Sequence, residues 1–301
     1  MLKGEIEPMT EIALQAYLSI AEWPTEQAVS TMIANQQEAA QAVARVAGSL
    51  AHAADSAAQR LGRAGRLIYA GAGTSGRIGV QDGVELGPTY GWPKSRLTFL
   101  MAGGEAAFMQ SVEGAEDRHE AGVAEAEALG LTAADVVIGL AASGSTPYTI
   151  GVIEAARRAG ALTIGLANKP PAPLIEAAEI GILIETGAEV IAGSTRMKAG
   201  TAQKIALNAL STAIMIRLGL VYEGRMVAMQ ISNRKLLGRA RTMIMELTAC
   251  SASQADAALE ASGQDIRAAI LLIKGWRLEQ ARADLDQWAG NLAAVIKARQ
   301  N

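Results

Sequence analysis

The sequence predicts an α/β fold in which helices flank a parallel β-sheet, followed by a small all-helical region. Five short apolar runs lie between residues 67 and 184, and segments with helical spacing separate them. Parallel pairing fits this spacing, because a parallel connection needs room for a crossover helix. Hydrophobic residues make up 50% of the 301 residues, but aromatic residues only 4%. Such a composition favours small aliphatic side chains in helices packed closely on a sheet.

The predicted organisation starts with a helical region, residues 1–61. From Met9 to Leu61 the chain is rich in Ala, Gln and Glu, with apolar residues at helical spacing and only Pro24 to interrupt it. A sheet domain follows at residues 62–238, and a small helical domain at residues 239–301 completes the chain.

Within the sheet domain, the apolar runs predict the strands and the segments between them predict helices. The helices are expected at Glu105–Leu129, at Thr149–Ala159 with Gly160 as its stop, and at Ala202–Leu218. The last is apolar nearly all round, so it should be buried in the domain or at a subunit contact. The predicted strands are Leu67–Ala70, Leu97–Met101, Val136–Leu140, Leu162–Leu166 and Ile180–Ile184.

Short helices are predicted in the C-terminal domain from capping-box spacing. Ser251 stands three residues before Gln254, and Ser262 three residues before Asp265. We therefore expect one helix to begin at each serine.

Charge and cysteine content exclude several classes of protein. The formal net charge of −3 offers no basic surface for nucleic acid. The single cysteine, Cys250, excludes an internal disulfide, and two histidines, His52 and His119, are too few for a His/Cys metal cluster. The sequence contains no run of about eighteen apolar residues, the length that a membrane-spanning helix needs. These features predict a soluble cytoplasmic protein, with Cys250 unreactive and His119 at the surface.

Two Gly/Ser loops are the strongest functional signal. Residues 71–77 follow the first strand and residues 142–147 the third, each before a predicted helix. Glycine lets the backbone approach a ligand, hydroxyls donate hydrogen bonds, and helix N-termini attract anions. One such turn is as often a simple helix cap, but two together favour a phosphate site. The predicted anion-binding residues are Gly73, Thr74, Ser75, Gly76, Arg77, Ser143, Gly144, Ser145 and Thr146.

The loop at residues 187–201 is too rich in functional groups for a plain connector. It adds Glu189, Ser194 and Lys198 to the candidate ligand-binding residues. Arg196, together with Arg77 and Lys198, is a candidate countercharge for the anion, although charged residues at loop ends are more often solvated.

Two carboxylates near the loops are candidates for acid-base chemistry. Glu85 lies in an apolar neighbourhood of the sequence, where a carboxyl group tends to have a raised pKa. The alternative is a helix-end glutamate in solvent. Glu116 belongs to an acidic cluster, which by itself is more often a solvated helix face. A carboxylate on either side of a bound sugar would suit proton removal and delivery.

These motifs resemble those of the N-acetylmuramic acid 6-phosphate etherases, a family of the sugar isomerase domain superfamily. The Gly/Ser loops alone mark only the superfamily. The blocks Val-Glu-Gly-Ala-Glu-Asp at 112–117 and Gly-Ser-Thr-Arg-Met-Lys-Ala-Gly-Thr at 193–201 are much more specific to the etherases. The resemblance covers roughly Arg66 to the C-terminus. The chain departs from the family pattern in Met1–Thr25 and in residues 83–89, where Glu85 lacks a neighbouring serine.

The resemblance implies a flavodoxin-like sheet, a ubiquitin-associated-like helical C-terminal domain and a homodimer. It implies cleavage of the D-lactyl ether of N-acetylmuramic acid 6-phosphate, by elimination and hydration, to N-acetylglucosamine 6-phosphate and D-lactate in cell-wall sugar recycling. Glu85 falls where the family has its proton-donating acid, and Glu116 where it has its second catalytic glutamate. No metal or organic cofactor is implied.

Two alternative functions share the phosphate cradle. An aldose-ketose isomerase acting on a phosphosugar would also remove the proton on carbon 2, but it would release no lactate. A non-catalytic sensor of sugar phosphates would need no paired acid-base groups, so the presence of both Glu85 and Glu116 argues against it.

Overall fold

A five-stranded parallel sheet forms the centre of the first of two compact units in the computed structural model, which describes residues 14–300. The strand order is β2-β1-β3-β4-β5, and every neighbouring pair is parallel. β1, β3 and β4 are buried along their whole length, which explains why they read as continuous apolar runs. All five predicted strands are confirmed. The strands are β1 Leu67–Gly71, β2 Leu97–Met101, β3 Val136–Ala141, β4 Leu162–Ala167 and β5 Ile180–Leu183.

Helices connect the strands and account for most of the remaining chain. Within the predicted N-terminal helical region, the described residues 14–61 consist mainly of two helices, and the earlier part lies outside the described residues. Short 3₁₀ turns occur at Gln15–Tyr17, Ile20–Glu22 and Lys94–Arg96. The helices are α1 Thr25–Arg45, α2 Ala47–Leu61, α3 Gly73–Tyr90, α4 Ala106–Met109, α5 His119–Ala128, α6 Pro147–Arg158, α7 Pro173–Ala177, α8 Lys198–Arg217, α9 Arg234–Thr248, α10 Ala252–Ser262, α11 Ile266–Ile273, α12 Leu278–Gln287 and α13 Leu292–Gln300. None of them, within residues 14–300, has the length and apolar character needed to cross a membrane.

Successive residues of β1 face opposite helix layers. Ile68 and Ala70 belong to one buried cluster with Val152 of α6. Tyr69 faces the other way, and its hydroxyl donates to Asp82 Oδ2 on α3 at 2.7 Å. Burial and the adjacent Asp82 carboxylate raise the pKa of the Tyr69 hydroxyl well above its ordinary value. The alternation places helices on both faces of the sheet, as predicted.

The prediction of a single helix at Glu105–Leu129 is wrong. The chain instead forms the short α4, an irregular segment, and then α5. Gly114 in the irregular segment has φ +67°, a left-handed conformation that no helix accommodates. Apolar periodicity alone could not reveal this interruption, and its consequence is that Glu116 lies in a loop.

The second compact unit comprises Gly83–Arg96 and Thr212–Asn301. Its buried cluster draws on α9 to α13, with Ile244, Leu259, Ile270 and Leu292 among its members. Two of the boundaries between these units fall inside α3 and α8. The domain limits at residues 62 and 239 stay predictions. An all-helical C-terminal region is present as expected.

One of the two predicted capping boxes is confirmed. Ser251 caps α10 and accepts a hydrogen bond from the Gln254 backbone, while the Gln254 side chain accepts from the Ser251 N–H. Ser262 does not cap a helix, because it ends α10 and donates to the Leu259 carbonyl. Asp265 caps α11 itself, which sequence spacing could not distinguish.

An ion pair between the partly exposed Arg66 and the buried Asp135 joins β1 to β3 at their N-terminal ends. The Asp135 carboxylate accepts from the Arg66 backbone, from Arg66 Nη2 at 2.7 Å and from the Thr132 backbone. Desolvation opposes ionisation, but these hydrogen bonds and the Arg66 charge outweigh it and lower the pKa of Asp135 below its ordinary 3.8.

Replacing Asp135 by Asn is expected to lower the free energy of unfolding by about 3 kcal/mol, because it breaks a largely buried pair. A lowered folded-state pKa stabilises the fold above about pH 4, and this contribution is lost as the pH falls through the folded pKa. Denaturant unfolding at pH 7 and pH 3 measures both effects. The variant should lose less stability than the native chain between these pH values, and equal losses would contradict the assignment.

Candidate active site

The two Gly/Ser loops lie side by side at the point in the sheet where the order of successive strands reverses. β1 and β3 are neighbours in the sheet, but β2 follows β1 along the chain and lies on its other side. In open parallel sheets ligands bind beyond the carboxyl ends of the strands at such a switch point. The sequence predicted both loops at strand ends, and the strand order now brings them together.

A cavity of about 310 Å³ opens between these loops. Its size is at the lower end of small-molecule sites. Four of the loops that follow strands contribute to its wall, together with the segment that carries Glu116. The lining residues are Ala72, Gly73, Thr74, Ser75, Glu116, Asp117, Ala142, Ser143, Ser145, Thr146, Pro147, Lys169, Gly193 and Thr195.

Two helix N-termini and several hydroxyls give this cavity the character of an anion site. α3 begins at Gly73 and α6 at Pro147, both in the cavity wall. The N–H groups of a first helical turn lack intrahelical partners and carry partial positive charge. The Ser143 hydroxyl accepts from the Ser145 backbone at 3.2 Å and lies 3.4 Å from the Thr146 hydroxyl oxygen. Phosphate oxygens could accept from this set of donors.

Gly144 is the residue of the second loop at which no larger side chain fits. Its φ is +72°, and a Cβ there would lie 2.7 Å from Ala172 Cβ. Its N–H donates to Ala141 and its carbonyl accepts from Leu174, so the turn is fixed on both sides. Gly144 therefore shapes the loop, and its neighbours carry the donor groups.

Glu116 is held at the cavity by its backbone. Its carbonyl accepts from the Tyr148 N–H in the first turn of α6 at 3.0 Å, while its side chain is exposed and lines the cavity. The same residue also lines an adjoining cavity of about 200 Å³. Glu116 thus stands between two cavities, close to the predicted anion-binding loop.

Lys169 is a site residue that the sequence analysis missed. It is the second residue after β4 and is half-buried in the cavity wall. Its neighbour Asn168 is buried, donates to the Ile184 carbonyl and accepts from Gln203 Nε2. The available signal was its position at the carboxyl end of a predicted strand, the end at which such sheets bind ligands.

Glu189 and Lys198 are engaged within the protein and do not line the cavity. The Glu189 carboxylate is 1% exposed and caps α8, accepting from the Lys198 and Ala199 N–H groups at 2.9 Å each. Lys198 Nζ donates to Glu38 at 2.8 Å. We therefore interpret both as structural rather than as direct contacts of the ligand. Ser194 and Arg196 lie in the same loop, of which Gly193 and Thr195 reach the cavity wall.

Arg77 is also placed differently from expectation. Its Nε and Nη2 donate to the backbone carbonyls of Ala107, Phe108 and Gln110. It lines the smaller cavity and is not among the described lining residues of the larger one. Gly76, one residue earlier, is buried and approaches β1 too closely for any larger residue, because a Cβ there would lie 2.9 Å from the Gly71 carbonyl.

Comparison with known proteins decides between the families that share such a cradle. A model described as "SIS domain" matches residues 107–213, and one described as "Glucokinase regulatory protein N-terminal SIS domain" matches residues 45–157. A relative from Deinococcus radiodurans is 46% identical over 269 residues, 89% of this chain and 88% of its own, and is named N-acetylmuramic acid 6-phosphate etherase. The chain belongs to the N-acetylmuramic acid 6-phosphate etherase family.

Two further members of the etherase family cover nearly the same span. The protein from Erwinia tasmaniensis is 47% identical over 87% of both chains. The protein from Serratia proteamaculans is 42% identical over 96% of this chain and 97% of its own. The resemblance seen in the sequence motifs is therefore confirmed, and with it the sugar isomerase fold.

Glu85, the first of the two glutamates that the etherase family resemblance singles out, lies on α3 in the second unit. Its side chain is exposed, so the apolar surroundings expected from its sequence neighbours are not formed. Of the apolar residues next to it in sequence, Leu86 is buried and Val84 is exposed. Its role stays a prediction.

Asp82 lies three residues before Glu85 on the same helix and anchors the first half of α3. The carboxylate is buried and accepts from Tyr69, from Asn208 Nδ2 at 2.6 Å and from Ser211 Oγ at 3.1 Å. Three donors satisfy its charge, so it fixes α3 to β1 and α8.

The described site offers hydrogen-bond donors that suit a phosphate, one cation and exposed carboxylates. Within residues 14–300 no three His, Cys, Asp or Glu side chains are grouped closely enough to hold a metal ion. Glu116 and Asp117 stand at the edge of the anion-binding loops. The arrangement can hold a phosphorylated sugar with its reacting carbons near a carboxylate.

Proposed function

We propose that this chain cleaves the D-lactyl ether of N-acetylmuramic acid 6-phosphate, giving N-acetylglucosamine 6-phosphate and D-lactate. It is a carbon-oxygen lyase that requires acid-base groups and no nucleophile. The observation that carries the proposal is the cavity that joins a phosphate cradle to the Glu116 carboxylate, in a member of the etherase family. The phosphate is held by Thr74, Ser75, Ser143, Ser145 and Thr146, with Lys169 as its countercharge.

The reaction proceeds by elimination and then hydration. Ring opening frees the aldehyde at carbon 1, which acidifies the proton on carbon 2. A carboxylate removes this proton, the electron pair forms the carbon 2–carbon 3 double bond, and the carbon 3–oxygen bond breaks to release D-lactate. Water then adds its hydroxyl to carbon 3 and a proton returns to carbon 2. The sum is one ether and one water converted to one sugar phosphate and one lactate.

Two glutamates share the proton transfers in this scheme. Glu116 lines the cavity and serves as the base for the proton on carbon 2. Glu85 supplies a proton to the departing lactate oxygen, the role that the family resemblance gives it. The phosphate contacts contribute by orientation, since binding energy far from the reacting carbons holds them in place.

We further propose that the protein acts in the cytoplasm as a homodimer. Leu18, Val29 and Ile33, close to or within α1, are exposed apolar side chains, and their burial against a second copy would remove them from water.

The deciding experiment supplies N-acetylmuramic acid 6-phosphate and measures D-lactate and N-acetylglucosamine 6-phosphate. We expect the two products in equal amounts. Incubation in heavy water should place deuterium on carbon 2 of the product, because the proton returned there comes from solvent. Binding of the sugar phosphate without lactate release would contradict the proposal, and interconversion of aldose and ketose phosphates would replace it with an isomerase.

A further inference from the structure

A second cavity lies beside the phosphate cradle and adjoins it at Glu116. Its volume is about 200 Å³, and it shares Ala72, Gly73 and Glu116 with the larger cavity. A phosphosugar isomerase needs no such space, because its substrate carries only a hydroxyl on carbon 3. An etherase must accommodate a further three-carbon acid at that carbon. The extra space therefore matches the part of the substrate that distinguishes the two reactions.

Arg77 supplies the cationic side chain of this cavity, whose wall also contains the exposed residues Glu113 and Glu116. It is the only cationic side chain among the described residues that line it. Its Nε and Nη2 are fixed by carbonyls of residues 107, 108 and 110, and these bonds leave Nη1 unused among the described contacts. A guanidinium fixed in this way loses little conformational entropy when it binds a carboxylate.

Apart from Glu113 and Glu116, the remaining wall suits a short branched acid. Met101, Ala102, Ala107 and Val112 supply apolar surface, and Gln110 and Ser111 supply an amide and a hydroxyl. D-Lactate consists of a carboxylate, a methyl group and one oxygen, which correspond to the cation, the apolar surface and the polar groups.

We propose that this second cavity binds the D-lactyl group of the substrate, with Arg77 as the countercharge of its carboxylate. The proposal rests on the proposed function and assigns the phosphate and the lactyl carboxylate to different cations, Lys169 and Arg77. Glu116, between the cavities, then stands where carbon 2 and carbon 3 lie when both ends of the substrate are held.

The test compares two substrates that differ only on carbon 3. One is N-acetylmuramic acid 6-phosphate, and the other is 3-O-methyl-N-acetylglucosamine 6-phosphate, which has no carboxylate and releases methanol. Arg77→Gln should lower kcat/KM for the lactyl ether about 10- to 100-fold more than for the methyl ether, since one charge-assisted hydrogen bond is lost. Any disturbance of the loop at 107–110 affects both substrates and cancels in the ratio.

Lys169→Gln is the matched control, because it removes one charge from the larger cavity. It should lower kcat/KM for both ethers alike, and Arg77→Lys should restore part of the lost ratio. If the native chain releases lactate but Arg77→Gln affects both ethers equally, the inference is overturned while the function stands. If the native chain releases no lactate from its substrate, the proposed function itself fails.

A measurement on the native chain covers the case in which the Arg77 variants do not fold. D-Lactate and inorganic phosphate are added together as inhibitors of the methyl ether reaction. If the two cavities are separate, D-lactate and phosphate bind at the same time. The reciprocal of the rate then depends on the product of the two inhibitor concentrations. Mutually exclusive inhibition would place both anions in one cavity and overturn the proposal.

Discussion

Replacing Glu116 by Gln is expected to lower kcat for lactate release by about 100- to 10,000-fold, the usual contribution of a positioned acid-base group. The amide keeps the size of the side chain but cannot take the proton from carbon 2. The hydrogen bond from the Tyr148 N–H is unaffected, because it is accepted by the backbone carbonyl of Glu116. The phosphate cradle should therefore stay intact, and the binding of N-acetylglucosamine 6-phosphate should change little.

Steady-state kinetics and calorimetric titration with this product measure the two quantities separately. Glu120→Gln is the control, since Glu120 is an exposed carboxylate of α5 outside the described cavity walls. Glu85→Gln is expected to give a loss of similar size through the departing lactate oxygen. Near-native kcat in Glu116→Gln would remove this residue from the proton transfer.

Replacing Gly122 by Ala is expected to damage both stability and activity. α5 and α6 pack so closely that a Cβ on Gly122 would lie 2.1 Å from the Tyr148 carbonyl oxygen. Gly151 on α6 is in the reciprocal position, where a Cβ would lie 2.3 Å from the His119 carbonyl oxygen. The helices must separate to admit the methyl group, at a cost of about 2 to 3 kcal/mol for overpacking.

Activity should fall as well, because the displaced contact adjoins the one that holds Glu116. A shift of about 1 Å at a reacting group can cost on the order of 100-fold in rate. Thermal unfolding and kcat, measured well below the unfolding temperature, test the two effects. Gly48→Ala is the control on α2, since it meets no atom within 4 Å and should be neutral or stabilising by up to about 1 kcal/mol. Unchanged stability and activity in Gly122→Ala would refute the tight packing.

The strands were predictable because local chemistry determines them. Residues 136–140, for example, are buried on both faces and so must be apolar whatever surrounds them. The loop at 142–147 was predictable as a turn for the same reason, since Gly144 shapes it and hydroxyls flank it; that it binds an anion stays a prediction.

Other features depend on distant parts of the chain and left no local signal. Lys169 becomes a site residue only because β4 ends at the same edge as β1 and β3. Glu189 was predicted to bind the ligand, because nothing near it in sequence shows that its carboxylate accepts hydrogen bonds from the first N–H groups of α8. The exposure of Glu85 likewise depends on which face of α3 is packed in the fold, which its sequence neighbours do not show.

The carboxylate of Glu189 makes the three helix starts near the cavity unequal. Its negative charge permanently occupies the start of α8, as a tethered ion would, whereas α3 and α6 have no acidic residue in their first turns. A free anion that diffuses to this edge of the sheet is thus attracted to two helix ends instead of three. By filling the start of α8 from within, the protein limits this attraction to the two helix ends that lie in the cavity wall.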